Sequence, residues 1–242
     1  MSYQHQYRMS LYLWINIFII AFPLLLSFGK KICFYKHWKT LIPSILIIGS
    51  VFVALDIYFT NIGIWSFNAA YLTGFSIYNL PIEECLFYFT IPYASVFIYE
   101  TVKAYFPHFR PIKFSYFFSL FFTILCIVLA VLYRDNSYTF SALLSAGIIN
   151  WIVYFGFTPR WYPYFITAFL ISQIPFLIVK SILTGQLTDA PIVWYNAEEI
   201  IGVRIFSVPI EDLFYNFLLF FSVVIVHEYL RKLWDIKKTK ST

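Results

Sequence analysis

The sequence predicts an all-α, polytopic membrane protein with seven transmembrane helices and a parallel internal repeat. Three observations carry this reading: the composition, seven apolar stretches of membrane-spanning length, and a co-linear match of the chain to itself. Of 242 residues, 61% are apolar, 23% aromatic and only 12% charged. A soluble domain carries about 25% charged and about 45–50% apolar residues. Mean hydropathy is +0.75. A soluble protein of this size has no interior large enough for so much apolar surface. A soluble enzyme, a disordered linker and a secreted disulfide scaffold are therefore excluded. Cys33, Cys85 and Cys126 stand far apart with no CxxC pair, so neither a disulfide framework nor a zinc site is expected.

The apolar stretches cover about 9–28, 38–60, 79–102, 114–133, 138–157, 162–183 and 206–230, each close to the roughly 20 residues a spanning helix needs. The first lacks a basic flank beyond Arg8 and a small-x-small site before Gly29, so it reads as a span and not a cleaved signal. Basic residues set the orientation. Thirteen lysines and arginines fall on one side, from Lys30 and Lys31 through Lys103 to the tail after Arg231. Only Arg8, Arg134, Lys180 and Arg204 fall on the other. The expectation is a multi-pass protein of the cell membrane with its N-terminus outside and its C-terminus cytoplasmic. The net charge of +5 is then a topological signal, and no nucleic-acid partner is expected. Two loops face outward, 61–78 with Trp65, Phe67, Tyr71, Phe75 and Tyr78, and 184–205 with Trp194 and Tyr195. They read either as an interfacial aromatic belt or as a lid over a site.

The chain matches itself without gaps when Asn68 is laid on Asn196. In the same register Gly74 falls on Gly202, Ile77 on Ile205, and Pro81-Ile82-Glu83-Glu84 on Pro209-Ile210-Glu211-Asp212. Phe89, Val96, Glu100 and Lys103 fall on Phe217, Val224, Glu228 and Arg231. Such a set marks an internal repeat. The copies are offset by four spans, an even number, so they run parallel, related about an axis along the membrane normal. The chain is then one membrane domain over 1–242, with a first half 1–112, a connector helix within 113–137 and a second half 138–242.

Ionisable groups in a bilayer cost about 2.5–3.5 kcal/mol on insertion scales and need a reason. Glu83, Glu84, Glu211 and Asp212 fall one to two turns inside the outer ends of the third and seventh spans. Asn16, Asp56 and Lys180 share that depth, which points to one polar chamber in the outer half. Pro-x-Glu-Glu is also good helix-start chemistry, with proline in the first turn and acids complementing the dipole. Four acids with almost no nearby base exceed what capping requires. A charge of −4 beside hydrocarbon demands that some hold protons, which makes them candidate general acids. Glu100 and Glu228 repeat near the cytoplasmic ends, each with a base three residues on, and read as edge ion pairs. His227 reads as interfacial, and His5, His37 and His108 as loop or tail residues, so no metal is expected. Phe87, Tyr88, Phe214 and Tyr215 follow the motifs as bundle packing or as a cation-stabilising lining.

The paired segments PIEECLFYF and PIEDLFYNF in a basic-tailed seven-helix chain resemble the integral-membrane, non-flavin lycopene cyclases in their fused form. The resemblance covers about 50–105 and 178–233. It implies cyclisation of the ψ ends of lycopene, or another linear C40 carotene, to β-ionone rings in carotenoid biosynthesis, by an intramolecular lyase or isomerase. It also implies Glu83, Glu84, Glu211 and Asp212 as the essential acids. Glu83 or Glu211, at the third position of the motif in both copies, is the first choice for proton donor. Substrate and product are isomers and no GxGxxG follows a strand, so no cofactor is expected. The expected partners are the carotene, the lipid bilayer and other carotenoid-pathway enzymes. A proton-coupled transporter also has repeats and buried acids, and an ε-cyclase or hydratase shares the cation step.

Overall fold

The computed structural model describes residues 11–240, with side chains through residue 236. His5 and Arg8 lie outside the described residues, and nothing is described of the side chains of Lys237, Lys238 and Lys240. Among the described residues seven α-helices follow in order: α1 Leu11–Leu26, α2 Trp38–Asn61, α3 Ile82–Tyr105, α4 Ile112–Leu132, α5 Ser137–Phe157, α6 Tyr162–Leu183 and α7 Glu211–Lys240. Six are long and apolar enough to cross a membrane. α1 is apolar, and 16 of its residues, about 24 Å, lie within the described part of the chain.

Helix neighbours repeat as the helices do. α1 packs on α3 and α3 on α6; α5 packs on α7 and α7 on α2; α4 lies against α5. In the repeat register the first pair of contacts becomes the second. α3 and α7 therefore form the centre, and their flanking helices screen them from lipid. Their shared core is aromatic, with Tyr99, Phe165, Phe217, Phe220 and Phe221 fully buried.

α3 and α7 begin later than the hydropathy pattern predicts, at 82 and 211 instead of 79 and 206. The residues before them form two tight hairpins instead. β2 (Ser76–Ile77) pairs with β3 (Leu80–Pro81), and β5 (Arg204–Ile205) pairs with β6 (Val208–Pro209). Tyr78 and its repeat counterpart Phe206 hold φ of +57° and +55° in the hairpin turns. Gly74 and Gly202 take φ of +89° and +87° in the same way, a conformation that glycine adopts without steric cost.

The outer loops are clasped together. β1 (Trp65–Phe67) pairs antiparallel with β4 (Val193–Tyr195), Trp65 opposite Tyr195. The Asn68 amide donates to the Ile192 carbonyl at 2.8 Å, and the Asn196 amide to the Ile64 carbonyl, also at 2.8 Å. Each loop holds the other through the same bond. Beneath the clasp, polar side chains tie helices. Asn16 of α1 donates to the Glu83 carbonyl at 2.9 Å and accepts from Thr90 at 2.7 Å. Asn150 of α5 donates to Ser119 and Thr123 of α4 and accepts from Tyr162 of α6.

Candidate active site

Late helix starts put the four motif acids in the first turns of α3 and α7, not one to two turns inside. They are buried all the same, because the hairpins and the clasped loops cover them. Within each motif the two acids diverge. Glu83 Oε1 accepts from the Thr73 amide and Glu211 Oε1 from the Ile201 amide, both at 2.6 Å. Thr139 also donates to Glu211 at 2.7 Å. These two carboxylates are repeat counterparts. Each turns back to its own loop and holds it over the helix end. Glu84 and Asp212 turn inward, into one shared chamber.

The chamber draws its walls from both copies of the repeat. Twelve of its lining residues form six pairs in the repeat register: Trp65 and Val193, Phe67 and Tyr195, Glu84 and Asp212, Phe87 and Tyr215, Tyr88 and Asn216, Ile91 and Leu219. The other three, Tyr138, Phe176 and Lys180, break the symmetry. Phe87, Tyr88 and Tyr215 thus stand where a lining was expected, and Phe214 does not. It packs on Phe122 of α4 with ring centres 5.5 Å apart. One residue is about 100° of helix turn, so Phe214 faces away from the side that Tyr215 presents. The repeat counterpart of Tyr88 is Asn216, which takes the lining position.

The two inward acids differ in their partners. Glu84 accepts from the Tyr12 hydroxyl at 2.5 Å. Asp212 accepts from Tyr138 at 2.7 Å and Tyr195 at 2.6 Å, and pairs with the Lys180 ammonium at 2.9 Å. A base therefore does stand beside the acids, against the expectation of almost none. It reaches them because α6 packs on α3 with Lys180 turned inward. Lys180 also donates to Tyr195 at 2.9 Å and lies 5.6 Å from the centre of the Phe87 ring. Burial, and Asp212 beside it, push the Tyr195 phenol well above its ordinary range, so Tyr195 is a lasting donor to Asp212. Asp56 is fully buried beside Tyr88 and Trp65, and neither of its carboxyl oxygens has a hydrogen-bond partner among the described residues. Among the described residues, Asp212 is the carboxyl that pairs with Lys180. The sequence singles out neither Tyr12 nor Asn216, and Tyr195 only as a belt or lid residue. The repeat register finds Tyr195 from Phe67 and Asn216 from Tyr88, but Tyr12 meets Tyr138 only out of that register.

At the opposite end, Glu100 and Glu228 form the expected ion pairs in a wider network. Lys103 lies 3.1 Å from Glu100 and 2.7 Å from Glu228. Tyr99 donates to Glu228 at 2.6 Å, and Arg231 lies within 3.5 Å of both acids. His37 and His227 also meet at Glu100, their ligand atoms within 4.8 Å of one another. This corrects the reading of His37 as a loop residue apart from other histidines, since α2 packs on α7 and brings it to His227. Lys103 and Arg231 together match Glu100 and Glu228 in charge, so the cluster reads as a buried ion network.

A family model described as lycopene cyclase matches residues 9–102 and 135–230, the two segments that supply both motifs, both outer loops and the chamber. No curated protein and no solved structure matches the chain.

Proposed function

The chain belongs to the lycopene cyclase family and so is an enzyme of carotenoid cyclisation with a carotenoid substrate, and from that premise we propose that it is a lycopene β-cyclase driven by proton donation alone. One observation carries the mechanism. Two unequal acids, Glu84 and Asp212, face one aromatic chamber from the two copies of a repeat. In this reading residues 1–112 and 138–242 are the two halves and 113–137 the connector. The chamber faces the outside of the cell membrane and the C-terminus lies in the cytoplasm.

Glu84 is the proton donor in this reading. Its direct partner is a neutral phenol, which leaves its proton free to transfer. Asp212 is held as a carboxylate by Lys180 and two phenols. The Glu84 proton adds to C2 of the terminal C1=C2 bond and leaves a tertiary cation at C1. The electrons of C5=C6 attack C1, the C1–C6 bond closes the ring, and the charge moves to C5. A carboxylate then takes the proton from C6, and C5=C6 re-forms. One proton enters and one leaves, so substrate and product are isomers. The faces of Phe87, Tyr88 and Tyr215 stabilise the passing cation, and fixed dipoles do so without reorganising. Glu83 and Glu211 act by holding the loops, a different role from the one the motif position suggested.

The test is cyclisation by isolated membranes in D₂O. The expected product carries one deuterium at C2 for each ring, with no nicotinamide, flavin or oxygen added. Rings without deuterium at C2 would overturn the mechanism. Proton loss from C4, seen as an ε ring, would overturn the β assignment.

A further inference from the structure

A second and larger cavity opens in the apolar belt between α1, α3 and α6. Its empty volume is about 1300 Å³. Ile15 and Phe22 of α1, Ala94 and Ile98 of α3, and Pro175 and Val179 of α6 mark its walls. Among the described residues, no charged side chain lines it. Its two hydroxyls are Ser95 and Ser172, and Ser172 donates to its own helix at Phe169. From Ser172 to Ile182 the α6 wall runs about 15 Å at 1.5 Å per residue.

Two features say what it holds. First, Ile91 and Phe176 line both this groove and the acid chamber, so the groove continues from the reacting end. Second, it opens sideways into lipid: Phe18 and Phe22 at its lip are 72% and 65% exposed. An apolar slot that begins in the bilayer and ends at an acid suits a long hydrocarbon whose tip reacts. A lipid headgroup finds no charged partner along these walls.

We infer that the groove between α1, α3 and α6 is the seat of the substrate's polyene chain, entered laterally from the membrane, with the ψ end in the chamber beyond Ile91 and Phe176. The inference rests on the proposed cyclisation and extends it to the way the carotene is held. The occupant is a linear conjugated C40 hydrocarbon lying along α3. Its length is comparable to the roughly 30 Å hydrocarbon core, so a groove of about 15 Å holds one arm and leaves the other in lipid. The second ring then needs release, reversal and rebinding, with the monocyclic carotene as a free intermediate.

The experiment measures binding apart from turnover. The protein, reconstituted in phospholipid nanodiscs, is titrated with lycopene and the bound pigment is read from its absorption after free pigment is removed. Ala94→Phe and Ile98→Trp fill the groove from the α3 wall. Ile127→Phe alters the lipid-facing side of α4, where Ile127 is 40% exposed. Expected are at least tenfold weaker binding in both groove variants and unchanged binding in Ile127→Phe, each protein being monodisperse. Unchanged binding in a folded groove variant overturns the inference and leaves the groove to lipid chains, and so does equal loss in Ile127→Phe. Failure of the cyclisation reading looks different: wild-type protein binds lycopene through the groove yet forms no ring. Time courses add a second check. A monocyclic carotene should exchange with added labelled monocyclic carotene before the second closure, and complete retention through both closures would contradict the one-arm seat.

Discussion

Replacing Glu84 by Gln removes a transferable proton and little else. Glutamine has the same length, and its amide oxygen can still accept the Tyr12 hydroxyl that now lies 2.5 Å from Glu84. The fold should therefore persist. A positioned general acid contributes about 10²–10⁴ in rate, equivalent to about 3–5 kcal/mol at 1.36 kcal/mol per decade. The matched control is Glu83→Gln, one residue away. Its oxygen still accepts from the Thr73 amide, now at 2.6 Å, and only the charge assistance is lost. Hydrogen bonds to charged groups contribute about 1.5–3 kcal/mol and neutral ones about 0.5–1.5, so the loop loses about 1 kcal/mol. That corresponds to a rate loss of about fivefold at most. Initial rates of ring formation in membranes with equal amounts of inserted protein decide the matter. A hundredfold loss in Glu83→Gln, with Glu84→Gln within fivefold of wild type, would refute the division of labour within the motif.

Lys180→Met strands Asp212 as a buried unpaired carboxylate, a defect of about 3–5 kcal/mol; thermal unfolding in detergent should fall accordingly. The double variant with Asp212→Asn should recover stability but not activity, and a double variant no more stable than Lys180→Met alone would argue against the pair. Tyr195→Phe removes one donor to Asp212 and should slow cyclisation by about tenfold, in line with a charge-assisted hydrogen bond of about 1.5 kcal/mol. Because its phenol is pushed upward, Tyr195 stays protonated as pH rises until that raised value is passed, so the variant should keep the wild-type pH–rate profile up to pH 9; a shifted alkaline limb would show that Tyr195 itself titrates. Reporter fusions after residue 36, after residue 70 and at the C-terminus should read inside, outside and inside, and an inside reading at 70 would move the chamber to the cytoplasmic face.

The helices were legible because apolar runs of spanning length admit few other structures. The repeat was legible because one ungapped register preserved Pro-Ile-Glu-Glu/Asp. What was hidden is directional. Hydropathy runs straight through Asn79 and Ser207 and does not register that tight hairpin turns delay α3 and α7. Adjacent acids cannot be told apart along a sequence, yet about 100° of helix turn sends Glu83 to its loop and Glu84 to the chamber. Pairing Phe87 and Tyr88 with Phe214 and Tyr215 followed residue type; the repeat register itself pairs them with Tyr215 and Asn216. Depth alone puts Lys180 in the chamber but does not name its partner, because Asp212 lies on the next helix, beyond the whole of the second outer loop. His37 and His227 stand near opposite ends of the chain, and only the packing of α2 on α7 joins them.

The reciprocal clasp of the outer loops sets a timetable for biogenesis. Trp65 leaves the ribosome long before Tyr195, its partner across the two strands. At synthesis rates of about 5–20 residues per second, the roughly 130 residues between them keep the first loop waiting about 7–26 s. α3 is made early in that interval and Lys180 only near its end, while Asp212 follows Tyr195. A nascent chain therefore carries Glu84 before Lys180, which later shares its chamber, has been made. Closure of the ribbon joins distant parts of the chain, so loop entropy opposes it. Amide exchange at Asn68 and Asn196 should report it: both amides gain protection together, and only in chains that extend past Asn196.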